Sequence, residues 1–118
     1  MKRVLLQAYI KKADLALDLY QEAFQAQANN IYRDDQGQLV HGEIQLKGCV
    51  LALSQANNDQ AGSTMQFCIH FETEAQIKKA YQVLKDQADI HHDLGPTFYS
   101  PLMVDFTDQF MVKWCFFI

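Results

Sequence analysis

The chain has 118 residues, 10 basic against 14 acidic side chains, and is 49% hydrophobic and 12% aromatic. That is ample apolar material for a core and argues against disorder, while a net charge of −4 gives no general attraction to phosphate backbones or anionic lipid. Nucleic-acid and membrane partners are therefore not expected. Cys49, Cys68 and Cys115 are odd in number and form no CxxC, which suggests neither a disulfide framework nor a zinc knuckle but reduced thiols in the cytoplasm. No export signal is read near Lys2-Arg3, and no apolar run approaches the ~20 residues that span a bilayer.

Residues 3–10 alternate as a strand, with Val4, Leu6, Ala8 and Ile10 on one face and Leu5, Gln7 and Tyr9 on the other. The period then changes. Leu15, Leu17, Tyr20, Ala23 and Phe24 predict an amphipathic helix, with Asp14 as its cap or first-turn acid. Extended stretches follow over about 27–33, 39–46 and 48–55, divided by Asp34-Asp35-Gln36-Gly37 and by a tight turn at Lys47-Gly48. The polar run Asn57–Ser63 marks a boundary between modules 1–58 and 62–118 of a single domain. Residues 64–72 alternate cleanly, Met65, Phe67, Ile69 and Phe71 against Gln66, Cys68 and His70. Thr73 and Gln76 have capping-box spacing, and Ile77, Ala80, Tyr81 and Leu84 give a helical stripe. Extended stretches at about 89–94, 98–106 and 111–117 complete the chain. The helical positions Leu17, Tyr20 and Phe24 recur as Ile77, Ala80 and Leu84, an offset of 60, so each half reads strand, helix, strand, strand, strand.

Four segments carry a family resemblance: Asp14-Leu-Ala-Leu-Asp-Leu-Tyr-Gln-Glu-Ala-Phe24, Val40-His-Gly-Glu-Ile44, Gly48-Cys-Val-Leu-Ala-Leu-Ser54, and Phe98-Tyr-Ser-Pro-Leu-Met-Val-Asp-Phe-Thr-Asp108 with Trp114. In order and spacing the chain resembles the PhnB-like branch of the glyoxalase/bleomycin-resistance/dioxygenase (vicinal oxygen chelate) superfamily. The resemblance implies an α+β fold of two βαβββ modules, with eight strands in two sheets facing an open cleft, commonly in a homodimer. Ser100 and Met111 stand where that pattern has glycine, which implies a reshaped or strained final hairpin.

Metal-dependent members of that superfamily hold a divalent ion on four side chains, from the first and last strand of each half. The matching positions here are Gln7, Ala52, Gln66 and Cys115. Ala52 ligates nothing, and a thiol is a soft donor in an otherwise hard set, so no family-type metal centre and no cofactor are expected. His41 and Glu43 share a strand face with Gln45; facing a cleft, they would bind a small polar ligand or act as base and acid. His70 lies on the polar face of its strand. His91-His92-Asp93 looks metal-binding, but neighbours in a strand point to opposite faces, so ordinary surface residues are the expectation.

Cys115 and Cys68 read as small hydrophobes rather than nucleophiles. Neither a Gly-rich dinucleotide fingerprint nor a P-loop is present. The expected ligand-binding set is Gln7, Tyr9, His41, Glu43, Gln66, His70 and Cys115, for an unknown small molecule; the alternative is a lyase, isomerase or dioxygenase with a displaced site. The last segment, Val112–Ile118, is apolar on both strand faces apart from Lys113, which suits burial in a homodimer.

Overall fold

A computed structural model describes residues 1–57 and 64–118. The polar run expected to separate the modules lies, except for Asn57, outside the described residues. The chain divides into two compact units, Met1–Asp59 and Gln60–Ile118. Each contains a mixed four-stranded sheet and one helix in the order βαβββ, as the family resemblance implies.

In the first unit, β1 (Leu5–Ile10) leads to α1 (Ala13–Phe24) and then to β2 (Ala28–Arg33), β3 (Leu39–Leu46) and β4 (Cys49–Gln55). The sheet order is β1-β4-β3-β2, with β1 parallel to β4 and the other pairs antiparallel. Ala13, Ala16, Leu17, Tyr20 and Ala23 form the buried stripe of α1, whereas Leu15 is exposed. Asp14 is a first-turn acid and not the cap; it pairs with Arg33 at 2.7 Å. The helix packs on Leu6, Ala8, Leu51, Leu53 and Ile44, all from one phase of the strands, and Gly42 lets Leu17 approach. Full burial of large side chains such as Leu51, Leu53 and Ile44 contributes roughly 1.5–3 kcal/mol each.

Alternation along β3 predicts Val40 inside. The structure instead buries Leu39 completely and leaves Val40 exposed. The register explains the exchange: Arg33 faces Leu39 but Tyr32 faces His41, so Val40 is an extra, bulged residue. A second irregularity, between Tyr32 and Asn29, falls on β2, where Asn30 takes a left-handed φ of 47°.

In the second unit, β5 (Phe67–His70), α2 (Glu74–Leu84), β6 (Asp89–Gly95), β7 (Met103–Thr107) and β8 (Lys113–Phe117) give the order β5-β8-β7-β6. The predicted capping box is present: Thr73 Oγ1 accepts the Gln76 N–H, and Gln76 Oε1 accepts the Thr73 N–H. Strand β5 is shorter than the alternation from 64 to 72 suggests. Trp114, Phe106 and Phe116 make the core of this unit, with Tyr81 of α2 against Phe106 at 5.5 Å between ring centres. Among the described residues no helix is long and apolar enough to cross a membrane.

Candidate functional site

Glu43 is the charged residue around which a site can be built. Its side chain projects from the sheet face away from α1, in a row with Gln7, Ala52 and Asn29 across four strands. Two residues along β1, β4 and β3, and three along the irregular β2, Tyr9 is paired with Ser54 and His41 with Tyr32, on the same face. Glu43 is only 2% exposed, and its carboxylate is saturated. Arg3 grips it with two parallel bonds, Nη1 to Oε1 at 2.7 Å and Nη2 to Oε2 at 3.0 Å. Asn30 Nδ2 donates to Oε1 at 2.9 Å, and His41 Nε2 lies 2.6 Å from Oε2. Four donors thus occupy the four lone-pair positions of a carboxylate.

These contacts hold the Glu43 carboxyl at about 2, far below its ordinary 4.5, chiefly through Arg3 and then through His41 and Asn30, against the opposing effect of burial. An ionised Glu43 can only accept, so it fixes the imidazole with an Nε2 proton toward the carboxylate. The left-handed backbone at Asn30 is what turns its amide onto Glu43. Asn tolerates that conformation better than most residues.

Gln7 lies where expected but its amide nitrogen is engaged, donating to Ser54 Oγ at 3.1 Å and to Ala8 O at 3.2 Å. Tyr9 is 70% exposed on the same face. In this unit, then, the structure gathers His41 and Glu43 with Arg3 and Asn30, and sets Gln7 beside Ser54. Arg3 lies ahead of the strand and meets Glu43 across 40 residues, a pairing no local pattern announces. The pair Asn29-Asn30 was the available hint of a left-handed turn.

In the second unit Cys115 faces Cys68 across the parallel β5–β8 pair. Gln66 precedes β5 and donates to Asp105 Oδ1 at 3.0 Å and to the Trp114 carbonyl at 3.3 Å. Cys115 is buried as expected, whereas Cys68 is exposed and Cys49 half-buried, so the buried-hydrophobe role fits Cys115 alone. His70 stacks on Phe117 at 4.7 Å, and Tyr99 meets the same Phe117 edge-on at 6.1 Å. His91 bonds Thr107 Oγ1, and Asp93 accepts from the Tyr81 hydroxyl, so the His91-His92-Asp93 run serves local contacts.

The residues at the four family positions do not fit a divalent ion. Ala52 has no donor, and Cys115 is a buried thiol whose protonated form is favoured by that burial. The neighbouring Glu43 has no lone pair to spare. Among the described residues no three His, Cys, Asp or Glu side chains gather as a metal cluster.

Two βαβββ units, each a mixed four-stranded sheet with one helix, define the architecture of the chain. Residues 4–116 match the family model for the glyoxalase/bleomycin resistance protein/dioxygenase superfamily, and the chain belongs to that superfamily. It is similar in structure to protein PA1353 from Pseudomonas aeruginosa (TM-score 0.85, 15% identity, covering 99% of this chain and 97% of that one). It is also similar to the PhnB protein from Bacillus cereus (TM-score 0.82, 23% identity, 99% and 98% covered). A further likeness is to the fosfomycin resistance protein FosX from Listeria monocytogenes, solved with Mn(II) and a dihydroxypropylphosphonic acid (TM-score 0.66, 11% identity, 99% and 90% covered). At these identities the likenesses speak for the fold. A comparison with curated proteins gave no match.

Proposed function

We propose that the chain is a metal-free, PhnB-like small-molecule binding protein, its two units forming one domain that works as a cytoplasmic homodimer. The observation that carries this function is the saturation of Glu43 by Arg3, Asn30 and His41 beside a position, Ala52, that has no donor. A carboxylate so engaged is a fixed anchor and not a ligand for an ion. It orients His41, whose side chain is about one-quarter exposed, so that Nδ1 offers one directed hydrogen bond to a polar ligand. Tyr9 and Tyr32 flank that position with apolar ring surface, the usual balance of a small-molecule site. On the second unit, considered by itself, the proposed ligand contacts are Gln66, His70 and Cys115.

Equilibrium dialysis against Mn2+, Ni2+ and Zn2+, followed by elemental analysis, and native mass spectrometry of protein recovered from cell extract test this together. The expected result is no stoichiometric metal, with a retained organic mass that is lost on His41→Ala. Stoichiometric metal bound at micromolar affinity overturns the proposal. Sedimentation equilibrium tests the dimer: a clean 13.6 kDa monomer at high concentration excludes it.

A further inference from the structure

The pairing of Cys68 with Cys115 has a chemical use that the proposed binding function does not draw on. The two residues are direct partners on adjacent parallel strands, so their side chains leave the same face of the sheet. Adjacent strands run about 4.8 Å apart, inside the Cα separation of roughly 4.4–6.8 Å that a disulfide accepts. Their environments differ: Cys68 is exposed and Cys115 is 6% exposed. We propose that Cys68 and Cys115 form a reversible intramolecular disulfide when the protein meets a hydroperoxide, with Cys68 as the thiol that reacts first and Cys115 as the resolving one.

The step balances. The Cys68 thiolate attacks the outer peroxide oxygen, the O–O bond breaks, and an alcohol or water leaves, giving a sulfenic acid on Cys68. Cys115 then gives its proton to the departing oxygen as its sulfur bonds to that of Cys68, and water is lost. Two thiols are oxidised by two electrons, and one hydroperoxide is reduced.

The order of attack follows from access. Burial pushes the Cys115 thiol up, and the Cys68 thiol beside it adds to that effect, so Cys115 is the poorer first nucleophile. Closing the bond requires the two side chains to turn toward each other, and β5 can adjust, because it is an edge strand of four residues whose side chains are exposed or half-buried. The weak Cys68 contact to Gln66 Oε1 at 3.8 Å is the interaction given up. Tyr99, whose hydroxyl lies 3.9 Å from Cys115 Sγ, marks how near the new bond would fall to the His70–Phe117–Tyr99 ring cluster.

The test treats the full chain with limiting hydrogen peroxide, blocks remaining thiols with N-ethylmaleimide under denaturing conditions, and reads intact mass and peptide maps. The expected product is a monomeric chain lighter by two hydrogens, with a single blocked thiol at Cys49 and a peptide linking 68 to 115, reversed by dithiothreitol. Cys49→Ser should leave that product unchanged. Cys68→Ser, at an exposed position, should abolish it and leave Cys115 open to the blocking reagent. Oxidation of Cys68 to sulfinic acid, or a Cys68–Cys68 bond between two chains, with Cys115 still blocked by the reagent, overturns the proposal.

Discussion

The indole Nε1 of Trp114 donates to Asp108 Oδ2 at 2.8 Å, while Oδ1 of the same carboxylate accepts the backbone N–H groups of Phe110 and Val112. One buried carboxylate therefore closes the β7–β8 turn and orients the largest core side chain of its unit. This explains the six-residue spacing of the two in the sequence: the turn brings the strand back to the acid that shaped it. Asp108→Ala should cost about 2–4 kcal/mol, because the indole and two amides lose a charged acceptor inside the core. Urea denaturation measures the loss, and a change under about 0.5 kcal/mol would show that the turn holds without it.

Met111 sits in that turn at φ 69°, a conformation that disfavours a side chain with a Cβ. Met111→Gly should raise stability by about 0.5–1 kcal/mol, relief of the left-handed strain exceeding the added entropy of the unfolded glycine. Ser100 departs from the family's glycine for a different reason. It is not strained; its Oγ lies 2.7 Å from the Ile118 carbonyl oxygen and 2.8 Å from that of Leu102, and accepts the Ile118 N–H at 3.1 Å. Ser100→Gly should therefore destabilise where Met111→Gly stabilises, and thermal melts of the two variants should move in opposite directions.

The Glu43 network predicts a pH dependence with a definite sign. Its carboxyl titrates near 4.5 when unfolded and about 2 when folded, so the unfolded chain binds more protons in that window. The contribution is present above pH 4.5 and is lost as the pH falls toward 2. With half-exposed Arg3 reached by solvent, its size is on the order of 1–2 kcal/mol. Denaturation of the wild type and Glu43→Gln at neutral and acid pH should show a gap that closes with acidity. A constant gap would place the effect elsewhere.

The capping box offers a local control. Thr73→Ala should cost about 1 kcal/mol through loss of the Gln76 N–H partner. Hydrogen exchange over the first turn of α2 checks it, since faster exchange there should accompany the loss.

Local chemistry made most of the fold legible. Period changes at Lys11 and Thr73, the capping box, and the turn at Gly48 with φ 81° each announce an element from within a few residues. What periodicity does not carry is register between strands far apart in the chain. Motif position put Gln66 on the first strand of its module, but the ladder begins one residue later, at Phe67 opposite Trp114, which sets Cys68 against Cys115. Val40 was misplaced for a related reason: a bulge shifts the phase, and a bulge is set by the partner strand as much as by its own residues. His41 and Glu43 were found by their shared face. Arg3 was not: the strand expected over 3–10 begins at Leu5, and no periodicity links Arg3 to a residue 40 positions on.

The irregular pairing of β2 has a consequence beyond the site. A straight outer strand offers a row of free amide and carbonyl groups on which another chain can add a strand of its own. Here the left-handed turn at Asn30 and the break in register between Tyr32 and Arg33, where Val40 is the extra residue, interrupt that row within six residues. The twist that points Asn30 at Glu43 thus also spoils the edge as a template for polymerisation. Removing the left-handed turn at Asn30 would release one of the four bonds to that carboxylate and straighten a sticky border at once.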